Sequence, residues 1–167
     1  MCVNALVRFV CLVDAKEGHE VNTPINQLLM QKGRDITTIA PTATVYEGIQ
    51  LMDAKNIGSL LVLNAHGKIA GIFAGRDAFR KVLLVGKSAK EVPVKAVMTK
   101  KVVYASPETT VDECMALMTQ KRIRHLPVLD NEQKLVGIIS IGDLVRFVVS
   151  EQDAMIRNLE KYIEGSL

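Results

Sequence analysis

The sequence predicts a mixed α/β (α+β) fold built from two β-α-β-β-α repeats packed about a pseudo-twofold axis, and three observations carry that expectation. Pro41 to Arg80 aligns with Pro107 to Arg146 without a gap and agrees at about 16 of 40 positions, which marks an internal duplication. Thr44-Val-Tyr-Glu47 and Thr110-Val-Asp-Glu113 stand at equivalent places and both match the capping box, in which a Thr hydroxyl and a Glu carboxylate satisfy free backbone donors at a helix start. Each box is followed by two short apolar runs separated by a polar turn, the pattern of paired buried strands.

The elements follow in order. Val45, Ile49 and Met52, and equivalently Val111, Met115 and Met118, recur at i, i+4 and i+7, so each first helix lays an apolar stripe on the core. The runs Leu60 to Leu63 and Ile69 to Phe73 give two strands of the first repeat, and Leu126 to Leu129 and Leu135 to Ile139 two of the second. Pro127 has no ladder donor and suggests a strand edge or start. Ala78 to Val85 and Leu144 to about Ile163 read as closing helices. Residues 1–22 form an N-terminal extension, 23–86 the first repeat, 93–150 the second and 151–167 a C-terminal helical extension, with linkers at 14–23 and 86–93. The extension is either a mobile or docking segment or lies outside the native start.

Composition narrows the function. Half the chain is apolar, Trp is absent and aromatics are few, so the core is aliphatic. The net charge of +3 is small and mixed, too weak a footprint for nucleic acid. No stretch approaches the ~20 apolar residues of a membrane span. Cys2, Cys11 and Cys114 show no metal-ligand spacing and read as reduced thiols of a cytoplasmic protein. No metal is expected. Neither a Walker nor a Rossmann glycine pattern is present, and motif spacing assembles no nucleophile, base and orienting group.

The duplicated polar residues require another explanation. Asp77 and Asp143 stand at strand-to-helix turns, where a carboxylate can accept from both hydroxyls of a ribose or simply serve as a helix N-cap. Gly71 and Gly137 make room for a ligand or another backbone. Ser140, at the start of the last helix, can donate to a phosphate where free backbone donors also favour an anion. Lys121, Arg122, Arg124 and His125 gather cations after a helix, either to complement its dipole or to meet phosphate.

Gly71-Ile-Phe-Ala-Gly-Arg-Asp77 and Gly137-Ile-Ile-Ser-Ile-Gly-Asp143 resemble the G-h-h-[S/T]-x-x-D signature of CBS (cystathionine β-synthase-type) domains, and Ile123-Arg-His-Leu-Pro-Val-Leu-Asp130 resembles the segment before it. The resemblance covers about residues 23–149 and is closest to small standalone bacterial CBS-pair proteins. It implies a Bateman module whose clefts bind AMP, ADP, ATP, NAD(H) or S-adenosylmethionine, with AMP the leading candidate. It implies ribose contacts from Asp143 and Asp77, phosphate contacts from Ser140, Arg124, His125 and, more weakly, Arg122, and adenine contacts from Val102 and Tyr104 or from Ile36 and Thr38. The first repeat departs from the pattern: Gly58 and Ser59 replace Arg124 and His125, and Ala74 replaces Ser140. The clefts should therefore differ. The implied function is a non-catalytic sensor that relays ligand binding to an effector protein as a homodimer. A dimerisation or docking protein with relic clefts is the alternative, and a nucleotide-processing enzyme a more distant one.

Overall fold

The computed structural model describes residues 22–33 and 35–164; the extension before Asn22, with Cys2 and Cys11, lies outside them. In chain order the elements are α1 (Ile25–Lys32), β1 (Thr38–Ile39), α2 (Val45–Ala54), β2 (Ser59–Leu63), β3 (Ile69–Ala74), α3 (Gly75–Ala78), α4 (Val94–Val97), α5 (Val111–Lys121), β4 (His125–Leu129), β5 (Leu135–Ser140) and α6 (Ile141–Glu164). The first repeat holds a sheet in the order β1-β2-β3, and the second pairs β4 with β5. Both antiparallel pairs carry an irregularity at the same place, between Val62 and Leu63 and between Val128 and Leu129.

Both capping boxes form: the Thr44 and Thr110 hydroxyls each accept from the backbone N–H of the Glu three residues on, and each Glu accepts from the Thr backbone. Those bonds, led by the Thr44 backbone donor, hold the Glu47 carboxyl below its ordinary range. The helices end in left-handed residues at matched positions, Asn56 (φ 51°) and Arg122 (φ 53°). The stripes predicted on α2 and α5 do face the interior, with Val45, Met52, Val111 and Met118 buried.

Two expected elements differ. The closing helix of the first repeat starts earlier, at Gly75, and widens into a π turn over Phe79–Leu83, where the Leu84 N–H reaches the Phe79 carbonyl. No strand forms at Val102 to Tyr104; a single parallel bridge joins Ala105 to Val128. The cause lies in Pro127. In the first repeat the Leu61 N–H donates to the Thr37 carbonyl, but the residue equivalent to Leu61 is Pro127, which has no N–H to give. Pro127 stands in the middle of β4, which is an edge strand of the two-stranded sheet, the setting expected for a proline within a strand.

The cores do not follow chain order. Ile25, Leu28 and Leu29 of α1 are buried with Val111, Met118, Leu126, Ile139 and Leu144 of the second repeat. Val94 and Val97 of α4 are buried with Val45, Leu60, Phe73 and Val82 of the first. Each short helix thus crosses to the other repeat. Backbone bonds mirror the exchange: the Ile25 N–H donates to the Thr109 carbonyl at 2.9 Å, and the Val94 N–H to the equivalent Ala43 carbonyl at 2.8 Å. The crossing explains two conserved-in-repeat glycines. A Cβ on Gly71 would lie 2.7 Å from the Thr99 carbonyl oxygen that follows α4, and one on Gly137 would lie 2.6 Å from Leu29 Cδ2 on α1. The close approach is made by the crossing segments. Cys114 is a buried free thiol in the second core, where burial and then the Glu113 charge push it up to about 12.

Candidate functional site

Asp143 is the third residue of α6, and Ser140 directly precedes that helix. The Asp143 N–H donates to Ser140 Oγ at 3.2 Å, while the Ser140 N–H and hydroxyl both donate to Asp143 Oδ2 at 2.8 Å. The pair therefore closes the same reciprocal bonds that start α2 and α5. Asp143 is not the cap itself; Ser140 is. A third donor reaches the same oxygen from outside the motif: the Lys32 ammonium bonds Asp143 Oδ2 and also the Ile138 carbonyl, the latter at 2.9 Å. Burial pushes the Asp143 carboxyl up, but the Lys32 bond, the two Ser140 bonds and the Lys32 charge outweigh it, and the group stays ionised below its ordinary range. All three donors fall on Oδ2. Oδ1 receives no hydrogen bond from the described residues.

His125 is brought to this cluster by strand register, since it pairs with Ser140 across β4 and β5. Its imidazole edge lies 3.6 Å from the place a Cβ on Gly58 would take, so the ring packs at ordinary contact distance against the first repeat. Burial lowers its pKa, the Arg124 and Lys32 charges lower it further, and Asp143 opposes them; the ring is neutral near pH 7 and offers a hydrogen bond rather than a charge. Arg124 is exposed beside it, and its carbonyl accepts the Ile141 N–H at 3.0 Å. The structure thus gathers Ser140, Asp143, His125 and Arg124, and adds Lys32.

The other expected contacts are more dispersed. Arg122 is the exposed left-handed C-cap of α5, its N–H turned to the Met118 and Thr119 carbonyls. Val102 is half-buried and Tyr104 exposed, on the segment leading to the Ala105 bridge, and burial raises the Tyr104 phenol. Thr38 lies in β1 opposite Leu61, with Ile36 half-buried just before it.

In the first repeat Asp77 has the position of Asp143 but not its bonds. Ala74 supplies no hydroxyl and makes no side-chain cap. Asp77 instead pairs with Lys81, one turn along its own helix, at 2.8 Å, and Lys81 also donates to the Val97 carbonyl. Each carboxylate thus faces a lysine that also holds a backbone carbonyl, but only in the second repeat does the lysine arrive on the crossing helix. Among the described residues no group of three or more His, Cys, Asp or Glu could hold a metal ion, and no helix is long and apolar enough to cross a membrane.

The duplicated fold has counterparts among known proteins. A family model described as the CBS domain matches residues 26–84 and 94–150. The chain is 37% identical over 152 residues to the CBS domain-containing protein CBSX3, mitochondrial, of Arabidopsis thaliana, covering 86% of this chain and 73% of that one. It resembles the structure of a putative signal-transduction protein with CBS domains from Burkholderia ambifaria MC40-6, with TM-score 0.74, 49% identity and coverage of 78% of this chain and 96% of that one. It also resembles the CBS domain pair of protein MJ0100 in complex with 5′-methylthioadenosine and S-adenosyl-L-methionine, with TM-score 0.67, 25% identity and coverage of 77% and 98%. Both halves being matched, the chain belongs to the CBS-domain family, as a tandem pair of the kind found in small standalone proteins.

Proposed function

We propose that this CBS pair is a non-catalytic sensor that binds an adenosine nucleotide in its second cleft and relays occupancy to an effector protein. The observation that carries the reading is the Asp143 carboxylate, held ionised with Oδ2 fully engaged and Oδ1 free of hydrogen bonds from the described residues. An anchored carboxylate oxygen with open acceptor capacity suits a ribose hydroxyl, and Arg124 and His125 beside it suit a phosphate. The MJ0100 pair was solved with two adenosine-containing ligands, which supports that ligand class here. AMP fits best, because one phosphate matches a small cationic cluster; ADP, ATP and NAD(H) belong to the same reading. Val102 and Tyr104 would meet the adenine. In the first cleft Ile36, Thr38 and Asp77 face no equivalent of Arg124 or His125, so that cleft binds more weakly. A cytoplasmic location belongs to this reading, supported by the buried free thiol of Cys114.

The assembly proposed is a homodimer. Phe79 and Leu83 on the π turn are 54% and 55% exposed, and their repeat equivalents Val145 and Val149 on α6 are 48% and 50% exposed. Four large apolar side chains at matched positions are thus exposed on the two closing helices, and repeat-related apolar surfaces suit an isologous interface. The same surfaces favour the second reading, a docking protein with relic clefts. Native mass spectrometry of protein purified without added nucleotide separates them: an adenosine ligand carried on a dimer supports the sensor, whereas a dimer that never retains one, even after incubation with AMP, supports docking alone.

A further inference from the structure

The two crossing helices are equivalent in role but unequal in length, α1 having eight residues and α4 four. After α4 the chain runs on as backbone, and Thr99 exchanges both hydrogen bonds with Ile72, at 2.8 and 3.0 Å. In the second repeat the carbonyl equivalent to that of Ile72 belongs to Ile138, and it accepts from the Lys32 ammonium instead. The extra turn of α1 thus replaces a backbone rung with a side-chain cation and aims it at Asp143. Lys32 is held there from both ends. Gly33, with φ 88°, stops the helix directly after it, and Leu29, one turn earlier, is locked against Gly137 in the second core. An ammonium has three N–H donors. Two are spent on Ile138 and Asp143, and the Lys32 side chain is still 31% exposed against 15% for Asp143. With His125 neutral, Lys32 and Arg124 outnumber the one carboxylate, so the cluster carries a net positive charge.

We propose that Lys32 is the specificity-determining cation of the second cleft, its remaining N–H taking a phosphate oxygen and so selecting phosphorylated adenosine ligands over adenosine. The inference rests on the adenosine reading of that cleft. It adds a coupling: a phosphate bound to Lys32 ties α1 to ligand occupancy. In the first cleft Lys81 comes from the same helix as Asp77 and touches the crossing helix α4 only through the Val97 carbonyl, so there the crossing element supplies no side-chain cation.

The test compares AMP with adenosine by calorimetry on full-length wild type, Lys32→Met and Lys32→Gln, and follows hydrogen exchange over residues 25–32. Loss of a charge-assisted bond predicts a fall in AMP affinity of about tenfold or more in both variants, with adenosine changed less than about threefold. AMP, but not adenosine, slows exchange in α1 of wild type. Lys32→Gln keeps a hydrogen-bonding group for Ile138, so it decides the matter if Lys32→Met does not fold. Equal losses for both ligands, no loss, or a gain in AMP affinity overturn the selective role. A wild type that binds neither ligand overturns the adenosine reading itself.

Discussion

If α1 belongs to the second repeat's core, Leu29 and Gly137 must be energetically coupled, and a double-mutant cycle measures that coupling. A Cβ added at Gly137 would meet Leu29 Cδ2 at 2.6 Å and Cδ1 at 3.2 Å, and Leu29 is almost fully buried. Gly137→Ala alone therefore overpacks the core, at about 1–3 kcal/mol, offset by about 0.4–1 kcal/mol from a less flexible unfolded chain. Leu29→Ala alone opens a cavity and costs about 2–5 kcal/mol. In the double variant the new methyl enters the space that Leu29 has left, so the clash disappears and part of the cavity is filled. The double variant should be more stable than the sum of the singles predicts by at least about 1 kcal/mol, inside the range for residues in contact. Urea unfolding followed by far-UV circular dichroism, at one protein concentration so that association does not vary, gives the four free energies. Additivity within about 0.5 kcal/mol would refute the crossing of α1.

Arg122 carries a left-handed backbone at a helix C-cap, a conformation costing a side-chain-bearing residue about 1–2 kcal/mol that glycine avoids. After the extra unfolded-state entropy of glycine, Arg122→Gly should raise stability by about 0.5–1 kcal/mol in urea; lost AMP affinity in that variant would show that Arg122 also meets phosphate. His125 has a pKa lowered in the fold, chiefly by burial, so the unfolded chain takes its proton first as pH falls below about 6.5. Its contribution is complete above that value and is lost as pH falls toward the folded value. That of Asp143, also lowered, is lost only below about pH 4. Urea midpoints should therefore drop between pH 7.5 and pH 5 in wild type and drop less in His125→Gln; equal slopes would contradict the assignment.

Much of this was legible in the sequence because it is local or duplicated. The capping boxes need only a Thr and a Glu three apart, and the duplication places Ser140 and Asp143 beside the strand pair that delivers His125. Long-range placement was not legible. Ile25, Leu28 and Leu29 at i, i+3 and i+4, with Lys32 and Gly33 closing the last turn, are a helix signature, but one that lies outside the duplicated segments. Even when read, periodicity says that this stripe is buried and not against which repeat. Gly71 and Gly137 looked like room for a ligand or a backbone; the neighbours are the Thr99 backbone and the Leu29 side chain. Lys32 escaped for the same reason, since nothing in the local pattern ties it to a carboxylate 111 residues away. Pro127 could have warned that the first strand of the second repeat would fail, because the equivalent Leu61 donates outward to Thr37.

The central claim, that Asp143 anchors an adenosine nucleotide in the second cleft, is tested most directly by calorimetric titration of AMP into wild type and Asp143→Ala, with folding checked by circular dichroism. Saturable binding by wild type, weakened by at least about 1.5 kcal/mol in the variant as expected for a bond to a charged group, is the predicted result. AMP binding that is unchanged in a folded Asp143→Ala variant would contradict it.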